Sequence, residues 1–263
     1  MDEKAMPPTD YWNDRSISDW RRHVVGSLEV SRDLIPDWDG TYRLAITNLS
    51  ELYISWCGIR SAEQPEPRSE RELEDVFWEL QRSSTVIDAL VGSACVILMR
   101  WIDYVARIFG NELVLLNTPF PFVTKPAKEA ISQSNRRAIM RDFGPKVDGK
   151  DLSCATAIWQ MGNVFKHGND RELRKPTREA AAILGFGSQT LGIKESENEA
   201  LLRSFARDRV GYTLGSDSIE RMALQLGCSP EAGLVPLYGL TRDWQESIEK
   251  RLHREQDALR KLL

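Results

Sequence analysis

Apolar residues recur along most of this chain at intervals of three and four positions, which is the spacing of one face of an α-helix. The pattern gives little support for a sheet, since strands alternate apolar and polar residues. We therefore predict an all-α protein, a helical bundle with a long central helix and a smaller C-terminal helical extension. The predicted helices lie at residues 16–35, 40–60, 69–109, 124–143, 152–167, 177–184, 197–209 and 216–226, with a last helix starting at Thr241.

The longest apolar pattern begins at Ser69, where Glu72 three residues later predicts a capping box. An unbroken helix of that length would measure about 60 Å. We therefore expect a kink or break, either near residues 83–85 or at Gly92. We also expect this helix to pack in the core against the helix at 152–167.

Composition indicates a well-packed soluble protein. Of the 263 residues, 41% are apolar and 28% are charged. The net charge of −4 argues against bulk electrostatic attraction to nucleic acid but leaves room for a local basic patch. Residues 1–10 have no apolar core, so we expect no signal peptide, and the uncharged run Ala89–Met99 is too short to span a bilayer. We therefore expect a cytoplasmic protein without a membrane segment.

Residue spacing gives no support for a metal or cofactor site. The four cysteines are scattered without a Cys-x-x-Cys pair, which disfavours zinc and fits reduced thiols in the cytosol. His23, His167 and His253 form no His-x-x-x-His pair. The sequence also lacks a phosphate-binding glycine loop and a Gly-x-Ser-x-Gly elbow. We expect no cofactor and no metal.

The distribution of these patterns predicts three segments. Residues 1–15 form a flexible N-terminus, residues 16–168 form the helical bundle core, and residues 169–263 form a C-terminal helical extension packed on the core. The last helix carries an apolar stripe that includes Trp244 and Leu252. Packing against the bundle and binding of a partner are both consistent with that stripe.

The candidate chemistry lies near the end of the helix at 152–167. Asn163 and His167 are four residues apart, so both side chains project from one helix face. Thr156 and Gln160 fall on the same narrow polar stripe, while most of the remaining surface is apolar. Such a stripe faces either water or a cleft. His167 is therefore either a structural residue in a solvated strip or the general base of a site.

Asn163 and His167, with the following Gly168, resemble the Arg-Asn-x-x-x-His segment of the HEPN superfamily, small helical-bundle proteins of bacterial toxin, antiphage and RNA-cutting systems. The resemblance covers roughly residues 69–168. It implies a helical bundle, pairing of two protomers, and a metal-independent ribonuclease site made by the Arg and His of both protomers. In this chain the Arg position is Gly162, and a glycine offers no charge to a developing phosphorane. The resemblance therefore implies the fold more than the activity.

The predicted helix at 124–143 is the most basic in the chain. It forms either an ordinary solvated charged face or a phosphate-facing surface, on which Arg137 and Arg141 share one side. The candidate nucleic-acid-binding residues are Lys125, Lys128, Arg137, Arg141 and, next to His167, Lys166.

Two functions of different classes fit these observations. The first is a non-enzymatic HEPN-like protein that binds a partner or RNA, within a bacterial defence or toxin–antitoxin module as the resemblance implies. The second is a metal-independent ribonuclease in which His167 and Asn163 act with an Arg supplied from elsewhere. We favour the first, because the sequence offers no identifiable substitute for the missing Arg. Both functions imply a homodimer or a complex with a protein partner. The candidates for that Arg are Arg100, Arg107, Arg137, Arg141 and Arg171.

Overall fold

The computed structural model describes residues 38–62, 67, 69–117, 136–167, 175–184 and 219–261, and most of these residues are helical. Within them the structure contains no strand, only isolated bridges between Lys146 and Ser153 and between Ser229 and Gly233. The all-α prediction is confirmed. The helices are α1 (Trp38–Ser61), α2 (Glu70–Asn117), α3 (Cys154–His167), α4 (Lys175–Ile183), α5 (Ile219–Leu224) and α6 (Val235–Arg260), with a short helical segment at 136–142.

Several predicted features lie outside the described residues. They are the N-terminus at 1–15, the helices at 16–35 and 197–209, and most of the helix at 124–143. The division at residue 168 stays a prediction, and the described core draws on helices from both sides of it.

Helix α2 runs through the core, and α1, α3 and α6 pack on it. Its enclosed positions include Ile87, Val91 and Leu98, which recur at helical spacing and are fully buried. Helix α6 adds Trp244 and Ile248 to the same buried cluster. The expected packing of the long helix against the helix before residue 168 is therefore present, as the contact between α2 and α3.

The expected break in the long helix is wrong, because α2 continues without interruption through both proposed positions. The Ser83 hydroxyl donates to the carbonyl of Glu79 at 2.9 Å, and the Thr85 hydroxyl donates to the carbonyl of Gln81 at 2.8 Å. Both hydroxyls are thus satisfied inside a helix instead of competing with it. Gly92 does not interrupt α2 either; it is a buried contact position.

Helix α6 begins at Val235, six residues before the predicted start at Thr241. Thr241 is fully buried, and its hydroxyl donates to the carbonyl of Leu237 at 2.9 Å, so it lies inside the helix and does not cap it. Pro236 occupies the first turn, where a missing N–H costs no helical hydrogen bond.

Helix α1 is fixed near its middle by the turn that precedes α6. The Ser50 hydroxyl accepts a hydrogen bond of 2.9 Å from the backbone N–H of Leu234. Gly233, with φ +62°, allows this approach, because a Cβ there would lie 1.9 Å from the Ser50 Oγ.

An ion pair between a half-buried arginine and a buried glutamate fixes the end of α1 to α5. The Arg60 guanidinium donates to both carboxylate oxygens of Glu220, at 2.6 and 2.7 Å. The Tyr53 hydroxyl donates to the same carboxylate at 3.3 Å, and the backbone N–H of Glu220 donates to Asp88 on α2 at 3.0 Å. The otherwise costly burial of Glu220 is therefore compensated by charge and by hydrogen bonds.

Within the described residues, α2 is the one helix long and apolar enough to cross a membrane by length and composition. The stretch Glu70–Gly110 contains an 18-residue window with a mean hydropathy of 1.7, and 50% of that window is buried inside the protein. The central helix of a packed bundle has the same length and composition, so this match is weak support for a membrane segment.

Candidate functional site

The polar stripe of α3 faces α4. The buried Gln160 side-chain oxygen accepts a hydrogen bond of 2.7 Å from the hydroxyl of the buried Thr177 on α4. The Asn163 amide lies 3.5 Å from the same oxygen, at the outer limit of hydrogen bonding. The middle of the stripe is therefore a packed interface between two helices, and His167 follows one turn later as the last residue of α3.

The other end of the stripe serves to start the helix. The Ser153 Oγ accepts from the backbone N–H of Thr156 at 3.2 Å, as an N-cap does. The same hydroxyl bonds to the carbonyl of Met140, and its Oγ lies 2.8 Å from the Thr156 Oγ1. Thr156 is therefore engaged in capping and is not a free polar group of a site.

Gly162, at the Arg position of the motif, packs against α2. A Cβ at this position would lie 3.1 Å from the carbonyl oxygen of Cys95 and 3.3 Å from the Met99 sulfur. Even one added carbon is tighter there than an ordinary contact, so an arginine has no room unless the two helices separate. The motif position points at the core, away from the polar stripe.

The basic residues of segment 136–142 do not meet the end of α3. Met140 contacts Ser153, which places the segment beside the start of α3. Asn163 and Lys166 follow Ser153 by ten and thirteen residues, so they lie about 15 and about 20 Å farther along the helix axis at 1.5 Å per residue. Arg137 and Lys166 are both exposed.

Other candidate arginines are held elsewhere. Arg141 pairs with Asp142 at 2.6 Å and thereby lowers the pKa of that carboxyl. Arg107 pairs with Asp103 on its own helix at 2.8 Å. Arg100 is exposed on α2. Lys125, Lys128 and Arg171 lie outside the described residues.

An open groove of about 330 Å³ lies on α2, beyond the end of α3. Phe165, near the end of α3, packs on Gly92 of α2. Positions 78, 81 and 85 continue the same α2 face toward its N-terminus, because they precede Gly92 at multiples of three to four residues. The described residues that line the groove are Trp78, Gln81, Arg82, Thr85 and Val86.

Sequence reasoning missed this groove. Trp78 and Arg82 occupy ordinary positions of a long amphipathic helix, and nothing in their spacing marks a site. The difference in length between two helices could have indicated the groove. Because α2 has 48 residues and α3 has 14, α3 leaves part of α2 uncovered.

The cysteines are poor nucleophiles. All four are free and buried. Burial raises the pKa of Cys154 to about 11 and that of Cys228 to about 12, and it raises the pKa values of Cys57 and Cys95. Because the thiolate is the reactive form, these thiols are unreactive near neutral pH. Among the described residues, no group of three or more His, Cys, Asp or Glu side chains is arranged to hold a metal ion.

Comparison with protein-family models, with curated proteins and with solved structures found no match to this chain.

Proposed function

We propose that this chain is a HEPN-like helical protein that binds a protein partner and does not cleave RNA. The bacterial defence or toxin–antitoxin setting follows from the sequence resemblance alone. The observation that carries the proposal is the packing of Gly162, since a Cβ there would already lie 3.1 Å from the carbonyl oxygen of Cys95 on α2. A ribonuclease of this type needs a guanidinium to stabilise the transition-state charge, and this position cannot hold one.

The polar stripe of α3 supports the same proposal. Gln160 is buried under α4 and bonded to Thr177, and Asn163 is half-buried beside it. Side chains committed to packing are unavailable to a substrate. Among the described candidates, Arg137 and Arg141 lie beside the start of α3 and Lys166 near its end, so these three do not form one phosphate-binding surface.

The groove on α2 is the proposed partner surface. Trp78 is 48% exposed there, and Arg82 is exposed one helical turn away. Exposed tryptophan and arginine are the residues that contribute most often to binding energy at protein interfaces. A groove of about 330 Å³ has room for one or two side chains of a partner.

RNA cleavage without metal tests the absence of catalysis. Wild-type protein and His167→Ala are incubated with a mixed-sequence RNA in the presence of a chelator. We expect the same background rate from both. Cleavage by the wild type that His167→Ala lowers by 10²-fold or more would overturn the proposal, since a general base contributes that much.

Partner binding is tested by a pair of matched variants. A partner recovered with the chain from its source is titrated against Trp78→Ala and against Val235→Ala, which removes another large exposed apolar side chain. We expect Trp78→Ala to weaken binding at least tenfold and Val235→Ala to leave it unchanged. If both variants bind the partner with equal affinity, the groove is not the partner surface.

The ribonuclease alternative has one specific observation in its favour. Arg82 lines the groove on α2, about 12 Å along the helix axis from the level of His167. A substrate that spans this distance could contact both positions. If cleavage is found, Arg82→Ala should abolish it, whereas Arg107→Ala, which breaks an exposed pair, should not.

A further inference from the structure

Helix α1 is apolar on two opposite faces. Its inner face buries Ile46 and Tyr53 in the core. On its outer face Leu44 is 63% exposed, Leu52 is 52% exposed and Ile59 is 56% exposed. A surface helix normally presents charged residues to water, so an apolar outer face indicates a surface that another molecule covers.

The outer face is also free of charge along its centre. Asn48 and Ser55 separate the three large residues, and all five positions are exposed and uncharged. Glu51 lies at the edge of the face, where its carboxylate can stay in water. Gly58 is also exposed, and a Cβ there would meet nothing within 4 Å. A neighbouring helix can therefore approach this face without burying an ionised group.

The order of these side chains is the same in both directions. From either end the face reads large apolar, uncharged polar, large apolar, uncharged polar, large apolar: Leu44, Asn48, Leu52, Ser55, Ile59. Such a face is complementary to itself when a second copy lies antiparallel across it, and a two-fold dimer requires a self-complementary surface.

We infer that α1 is a homodimer surface, on which α1 of a second copy packs antiparallel about a two-fold axis beside Leu52. Leu52 then meets Leu52 of the second copy, and Leu44 of each copy meets Ile59 of the other. Asn48 of each copy lies against Ser55 of the other, where a carboxamide and a hydroxyl can satisfy each other by hydrogen bonding. The inference does not depend on the proposed function, because α1 is separate from the groove and from α3.

The area of the outer face of α1 determines how strong the expected dimer is. The face is about 22 Å long and about 10 Å wide, from the helical rise and diameter. That area is well below the ~800 Å² per partner of a standard stable interface. We therefore expect a weak dimer that dissociates at micromolar concentration.

Single cysteine variants test the geometry, and the four native thiols are buried. With a short thiol cross-linker, Leu52→Cys should give a covalent dimer. Leu44→Cys alone should not, because the two copies of position 44 lie about 22 Å apart. An equimolar mixture of Leu44→Cys and Ile59→Cys should cross-link. Val235→Cys is the control on a different exposed apolar position.

Sedimentation tests the energetics. Leu52→Glu places two like charges across the two-fold axis and should raise the dissociation constant at least tenfold, while Val235→Glu should not. Circular dichroism and the thermal midpoint check that both variants are folded. Two results would overturn the inference. One is a wild type that remains monomeric at about 100 µM, well above the dissociation expected for a weak dimer. The other is a dimer that cross-links through Val235→Cys and not through Leu52→Cys.

Discussion

Phe165 of α3 packs on Gly92 of α2 so closely that a Cβ at position 92 would lie 2.2 Å from the phenyl ring. Gly92 is therefore the point at which the end of α3 meets the central helix. Because the nearest ring atoms include the one attached to the Phe165 stem, a small rotation of the ring would not relieve the overlap.

Gly92→Ala should lower the free energy of unfolding by about 1–3 kcal/mol, because overpacking outweighs the gain of about 1 kcal/mol in helix propensity. Denaturant unfolding by circular dichroism measures the change. Gly239→Ala in α6 is the control, since a Cβ there meets nothing within 4 Å and only the propensity gain applies. Equal stabilisation by both changes would show that Phe165 moves aside without cost.

Gly162→Arg should destabilise the protein by more than about 3 kcal/mol, because it forces a long charged side chain between α3 and α2. Restoring the motif arginine should therefore not create a ribonuclease. Unfolding curves and a metal-free RNA assay on the same preparation check both statements. A folded, RNA-cleaving Gly162→Arg protein would contradict them and reinstate a catalytic interpretation.

Arg60→Met should cost about 3 kcal/mol, because Glu220 would keep a buried carboxylate without its cation. The double change Arg60→Met with Glu220→Gln should recover part of that loss. A double-mutant cycle by denaturant unfolding measures the coupling. The same cycle on the exposed pair of Arg242 and Glu246 should give no more than about 0.5 kcal/mol.

Stability should fall as the pH rises above 9. Burial raises the folded-state pKa of Cys228 to about 12, while the unfolded thiol keeps its ordinary value near 9. Between these two values the unfolded state loses its proton first, so the folded state binds more protons and raising the pH favours unfolding. Unfolding curves at pH 8 and pH 10.5 check the sign. Cys228→Ala should make the pH dependence shallower without abolishing it, because burial also raises the pKa values of the other three thiols. A dependence that is unchanged or steeper in that variant would refute the assignment.

The sequence predicted the helices well where one apolar face meets the core. The boundaries of α1 and α3 agree with the apolar periodicity to within about two residues, because burial of one stripe determines both. Gly92 and Thr241 were interpreted wrongly for a related reason. Local propensity assigns a glycine to a break and a threonine to a helix start. The tertiary contact with Phe165 decides the role of Gly92, and Thr241 is buried inside α6 with its hydroxyl bonded to the carbonyl of Leu237 one turn earlier.

The candidate site was less predictable than the fold. Periodicity placed Gln160 and Asn163 on one face of α3, which is correct, but it cannot tell whether water, a cleft or another helix lies opposite. The answer depends on Thr177 of α4, seventeen positions away along the chain. Likewise, the direction of Gly162 and the groove at Trp78 follow from how α3 lies on α2, which no local pattern encodes.

The two contacts that fix α1, at Ser50 and at Arg60, affect the affinity with which another molecule can bind to this helix. Ser50 is tied to the turn before α6 and Arg60 to α5, so the backbone of α1 is held at two points about 15 Å apart. A molecule that covers the outer face therefore meets a helix that is already ordered. The entropy lost on association is then limited to overall motion and to a few side chains, and even a small apolar surface can produce measurable affinity.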